Sequence, residues 1–104
     1  MGKAEIQGII DYMGKTQQRY AGWGRENTTD DAWRTLQQMR TASLDLQHHI
    51  KELQIEASKT VASEEVQAGL VEKTLSDART LKSKIDHGLN VVQNRLDQLG
   101  PLLD

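Results

Sequence analysis

Between residues 64 and 103, apolar side chains recur at alternating spacings of three and four. Ala68, Val71, Leu75, Ala78, Lys82, Ile85, Leu89, Val92, Leu96, Leu99 and Leu103 fill the a and d positions of five successive heptads, and Lys82 alone among the eleven is charged. A repeat held for that length dictates a helix lying lengthwise against other helices, because only a period near 3.5 residues keeps every position on one side.

The remaining residues suit the same architecture. The chain has 104 residues with no Phe, two Trp, two Tyr and a single Pro (Pro101), so its core must come from Leu, Ile, Val, Ala and Met. Strong helix formers dominate and turn residues are scarce. This length makes one domain. The reading is all-α: a long antiparallel hairpin of helices over about 30–60 and 64–99, with a shorter N-terminal helix over about 3–21, packed as a three-helix bundle or coiled-coil-like assembly. A loop over 22–29 and a tail over 100–104 complete the single domain.

In the first helix Ile6, Ile10, Met13, Gln17 and Tyr20 follow the a/d spacing, with Ile9 widening the stripe. Gly8 and Gly14 interrupt it, each costing about 1 kcal/mol relative to Ala. Such a helix must dock to stay ordered, and the glycines are read as points of close backbone approach to a neighbour. Ala21-Gly22-Trp23-Gly24-Arg25-Glu26-Asn27 is the clearest break. Thr28, Thr29 or Asp30 then caps the second helix, and Thr28 with Asp31 has capping-box spacing. Ala32, Leu36, Met39, Ser43, Leu46, Ile50, Leu53, Ala57 and Thr60 form its seam; Trp33 lies beside that seam, and Leu44 and Ile55 fall off it. Ser63 before Glu64 and Glu65 reads as the cap of the third helix, which Gly100-Pro101 stops. No Gly or Pro occurs between Arg25 and Ala68, so one continuous helix of roughly 105 Å is the alternative to the hairpin.

The charge pattern excludes several functions. The net charge is −2, and residues 1–28, 29–62 and 63–104 carry four, four and five basic against three, five and seven acidic side chains. No basic patch exists to drive binding to a phosphate backbone, so no nucleic acid partner is expected. Without Cys there is no disulfide framework and no thiolate site. No apolar run approaches the roughly 18 to 20 residues that span a bilayer. The first helix sets only Lys3, Lys15 and Arg19 against Glu5 and Asp11, a poor cationic face for a membrane surface. With no signal-peptide core at the N-terminus, the expected location is the cytoplasm, or export without a classical signal peptide.

Chemistry-bearing motifs are missing. His48 and Glu52 face the same way on a helix, but a metal site would need His87 from the facing helix, and no H-E-x-x-H pattern occurs. The three histidines are read as surface residues. Carboxylates are interleaved with Lys and Arg, and nothing forces a raised pKa on any pair. The expectation is no enzyme, no cofactor and no metal.

Partner contact is expected from two groups. Tyr20, Trp23 and Trp33 cluster around a glycine-bounded loop, where aromatic side chains serve either as a plug at the bundle's end or as interface anchors. Ile85, Leu89, Val92, Leu96 and Leu99 form the most regular part of the seam, and Lys82 is the candidate for setting register and oligomer state. A first helix about half as long as the hairpin leaves part of the seam open, which argues for a homo- or hetero-oligomer. The functional expectation is a non-enzymatic protein–protein interaction or assembly module, an adaptor presenting its seam to itself or to a partner helix. The alternative is a small helical chaperone or structural factor of a specialised bacterial secretion system. For that alternative, size, lack of Cys and helical plan are similar to those of small exported proteins with a Trp-x-Gly turn, although Trp23-Gly24-Arg25 does not match that turn.

Overall fold

The computed structural model describes residues 1–59 and 65–100, and three helices account for nearly all of them. They are α1 (Lys3–Tyr20), α2 (Thr29–Lys59) and α3 (Glu65–Leu99), and no strand occurs among the described residues. The expected Ser63 cap, the boundary at 60–63, Pro101 and the last seam position Leu103 lie outside the described residues.

Each described helix end has a local cause. Thr28 caps α2: its Oγ1 accepts from the Asp31 N–H at 3.1 Å, and its carbonyl accepts from Ala32 N at 3.0 Å. Asp30 and Asp31 add negative charge to the first turn, where the helix dipole favours it. Gly100 takes the left-handed backbone that stops α3, with φ of 82° and its N–H on Leu96 O at 3.1 Å.

The hairpin is antiparallel. Thr29 Oγ1 donates to Gly100 O at 3.0 Å, and halfway along Ser43 donates to Asp86 at 2.6 Å. Helix α1 runs back along α2: the Met1 amine meets Glu56 at 2.9 Å, and Tyr12 meets Asp45 at 2.9 Å. The core threads the long axis of a rod 62 Å by 18 Å by 17 Å. Ile6, Leu36, Met39, Leu46, Leu53, Val71, Ile85 and Val92 are its largest fully buried apolar side chains. Each stabilises the fold by roughly 1.5–3 kcal/mol.

Three sequence expectations change. The core place assigned to Lys82 belongs to Leu81, which is 5% exposed; Lys82 lies at the flank with its ammonium on Asp86 at 2.6 Å. Val71, Ala78, Ile85 and Val92 keep an unbroken seven-residue repeat in the core. Between Ala78 and Ile85, residues 81 and 82 flank one seam position, and the apolar Leu81 takes it while the Lys82 ammonium stays at the rim. Gly8 and Gly14 are exposed, and a Cβ on either would meet nothing within 4 Å. Close approach occurs at Gly88 instead.

The third change concerns cover for the groove. Helix α1 spans the part of α2 from about Met39 to Glu56, and the loop 21–28 lies along the rest. Its Trp23 reaches Gln38, its Glu26 reaches Thr35, and Arg95 donates to Glu26 O at 3.0 Å. Ile85, Val92 and Leu96 are therefore buried within the chain's own core, and Leu89 and Leu99 pack partly buried against it. At Ile85, Val92 and Leu96 the seam is filled from within the chain.

Candidate functional site

A cleft of about 270 Å³ lies where α1 gives way to the loop. Its walls are Tyr20, Ala21, Trp23, Gly24 and Arg25 on one side, Met39 at the base, and His87, Gly88, Val91 and Val92 of α3 on the other.

The loop is held by a chain of local hydrogen bonds. Gly22 N donates to Arg19 O at 3.0 Å and Trp23 N to Tyr20 O at 3.1 Å, which tightens the last turn of α1. Gly24 then adopts φ of 93°, a conformation that favours glycine, and redirects the chain. Its N–H donates to Glu26 Oε2 at 2.9 Å, which also accepts from Thr35 Oγ1 at 3.0 Å. Glu26 is buried at 7% exposure, and its Oε1 has no partner among the described residues. The carboxylate is thus turned into the bundle as a brace between loop and α2.

The aromatic wall is ordered by the same loop. The Tyr20 and Trp23 rings meet edge to face, 6.1 Å between centroids and 73° between planes. Trp23 Nε1 donates to Gln38 Oε1 at 3.3 Å, fixing the indole beside α2. The base depends on Gly88. A Cβ there would stand 2.7 Å from Met39 Cε, so the missing side chain is what lets Met39 sit against α3; Tyr20 Cε2, at 3.5 Å, would be in ordinary contact with it. Arg25, His87 and Val91 are exposed at the rim, leaving the cleft open to solvent.

Of the residues singled out from sequence, Tyr20 and Trp23 meet at this cleft. Trp33 does not join them. It lies 42% exposed on the outer face of α2, which it shares with Leu44 (72%) and Ile55 (56%), each eleven residues and about three turns from the next. Lys82, the register candidate, joins a cross-helix link in which Asp86 accepts from both Lys82 and Ser43. Burial alone would raise the Asp86 carboxyl, but the bonds from Lys82 and Ser43 outweigh it and hold the group below its usual value. Arg25, Met39, His87, Gly88 and Val91 join the site only through the fold; the sequence pattern does not single them out for it. The one signal in the sequence is the glycine at position 88, next to the seam residue Leu89.

The other histidines are engaged elsewhere. His48 Nε2 and His49 Nδ1 lie 3.2 Å and 3.0 Å from Glu52 Oε1, and the Tyr12 ring meets His49 edge to face at 5.4 Å. Among the described residues no three His, Cys, Asp or Glu side chains are grouped to hold a metal. Two other clefts, one of about 370 Å³ around Glu72, Ser76, Arg79 and Thr80 and one of about 270 Å³ around Tyr12, Arg19, Gln37 and Asp45, are lined chiefly by polar side chains. Neither combines two aromatic rings with aliphatic walls.

No protein-family model matches the chain, and no curated protein or solved structure shows significant similarity to it. Among the described residues no helix is long and apolar enough to cross a membrane.

Proposed function

We propose that the chain is a non-enzymatic protein–protein interaction module that receives one apolar side chain of a partner in the cleft between Tyr20, Trp23 and Val91. The observation that carries this reading is the cleft itself. The seam of α3 is occupied by α1, α2 and the loop, yet two aromatic rings, Met39 and Val91 still line an open, apolar-walled recess. Its volume of about 270 Å³ falls just below the usual small-molecule range of roughly 300–1,000 Å³. It suits a single anchoring side chain, and well-packed aromatic pockets are where binding energy concentrates at protein interfaces. This differs from presentation of the heptad seam, since Ile85, Val92 and Leu96 are reachable only if the bundle opens.

Affinity capture with the folded full chain and two variants tests the reading. Val91→Glu places a carboxylate on the cleft wall, and Leu44→Glu places one on the outer face of α2. A stoichiometric partner retained by wild type and by Leu44→Glu, but lost with Val91→Glu, is the expected result. A partner retained by Val91→Glu overturns the cleft as the contact. Light scattering on the purified chain reads whether that partner is a second copy.

A further inference from the structure

We infer that the segment docking in this cleft is acidic, presenting one large apolar side chain flanked by carboxylates. This rests on the interaction reading above and names the chemistry of its partner. Ten residues line the cleft, and none of them is acidic. The two groups among them that carry or can take a positive charge, the Arg25 guanidinium and the His87 imidazole, stand at the rim, exposed, one on the loop and one on α3. Neither has a hydrogen bond or ion pair among the described residues. Lys84 lies one turn before Gly88 on the same side of α3, exposed and likewise without an ion-pair partner there.

The carboxylate nearest in sequence to Arg25 cannot neutralise it from within the cleft. Glu26 is buried, with Oε2 committed to Gly24 N and Thr35 Oγ1. Arg34, Lys73 and Lys82 meet carboxylates, whereas Arg25, like several other exposed cations, meets none among the described residues; what sets Arg25 apart is its place on the rim of an apolar-walled cleft. The cleft therefore combines apolar walls with unmatched positive charge at its edge. A guanidinium makes its strongest bonds to carboxylates, through charge-assisted N–H donors. At a solvent-facing rim those bonds set specificity and association rate more than total affinity. An anchor side chain between Tyr20, Trp23 and Val91 would bring its flanking residues to the rim, within reach of Arg25 and His87.

The isotope-labelled full chain, followed by nuclear magnetic resonance, tests this against three short synthetic peptides. One has Trp between glutamates, one has Trp between lysines, and one has Ala between glutamates. The Glu-flanked Trp peptide is expected to shift the Trp23 indole and Arg25 signals and to bind about tenfold tighter than the Lys-flanked peptide. The Ala-centred peptide is expected to leave those signals in place. Arg25→Gln, an exposed change with circular dichroism as the fold check, is expected to remove at least about threefold of the preference. Val91→Glu is expected to abolish binding. Equal binding of the Glu- and Lys-flanked peptides, lost with Val91→Glu, overturns the acidic preference and leaves the cleft reading standing. An undiminished preference in Arg25→Gln overturns the recognition by Arg25. Absence of shifts with every peptide overturns both the preference and the cleft.

Discussion

The Cε methyl of Met39 lies 2.7 Å from the point where a Cβ on Gly88 would stand. No real Cβ tolerates that distance, so Gly88→Ala requires Met39 to move. Its terminal methyl is the flexible end of a side chain that adapts readily, and the room beside it is the cleft. Two effects then oppose each other. Alanine gains about 1 kcal/mol of helix propensity, while displacing a packed methyl costs about 1–3 kcal/mol. Gly88→Ala should be neutral to destabilising by about 2 kcal/mol. In a Met39→Ala background, where the obstruction is gone, it should stabilise by about 1 kcal/mol. Urea unfolding of the four proteins in that cycle checks the coupling. Simple additivity of the two substitutions would show that the methyl does not sit against Gly88.

Gly8 and Gly14 give the opposite expectation. Both are exposed within α1, and a Cβ on either meets nothing within 4 Å. Gly8→Ala and Gly14→Ala should each stabilise the chain by about 0.5–1 kcal/mol, additively, through backbone propensity alone. Thermal unfolding followed by circular dichroism reads the effect. Loss of stability from either would mean that α1 makes a backbone contact not present in this fold.

Leu81 and Lys82 are neighbours with different roles. Leu81 is buried, whereas the Lys82 side chain is 24% exposed with its amine on Asp86. Leu81→Ala should cost about 2–4 kcal/mol as a cavity in the core. Lys82→Leu should change stability by no more than about 0.5 kcal/mol and leave the mass in solution unchanged. A raised melting temperature with an altered oligomer distribution would instead return Lys82 to the seam and to the control of register.

These contrasts explain what the residue pattern made legible. The three helices, their antiparallel hairpin and the loop at Gly22-Trp23-Gly24 follow from periodicity and capping, which are local. The Thr28-x-x-Asp31 cap forms as its spacing predicts. The Leu81 place is not legible from spacing alone, because Ala78 and Ile85 are seven apart and residues 81 and 82 both complete a three-four alternation between them; the packed fold buries the apolar one. Burial of the loop against residues 29–38 carries no period at all; it depends on Glu26 and Trp23 finding Thr35 and Gln38. Trp33 is near Tyr20 and Trp23 in sequence, yet a helix sends neighbouring residues to different faces. Most of the cleft was hidden for a related reason. Arg25, Met39 and Gly88 come from three segments, and only the packed fold brings them to one place.

Tyr12 supplies a test of how α1 docks that does not depend on the cleft. Its hydroxyl donates to Asp45 Oδ2 at 2.9 Å, across the α1–α2 contact. Burial, and then the bond to the Asp45 carboxylate and its negative charge, push the phenol from 10.0 up to about 12. Below pH 10.0 the phenol is neutral in both folded and unfolded chains, so its contribution to stability is fully present. Between 10.0 and about 12 the unfolded chain loses this proton while the folded chain keeps it. The unfolded state then binds fewer protons, and stability falls as pH rises through that window. Tyr12→Phe removes the ionisation and the bond together. It should be somewhat less stable than wild type at neutral pH, by about 0.5–1.5 kcal/mol, and the gap should narrow as pH passes 10.0. Lys and Arg titrations are common to both proteins and cancel in the comparison. Urea midpoints measured across the window read the convergence, and the tyrosinate absorbance of the folded wild type should show a late phase that Tyr12→Phe lacks. Parallel curves for the two proteins would mean that Tyr12 does not hold α1 to α2 through Asp45.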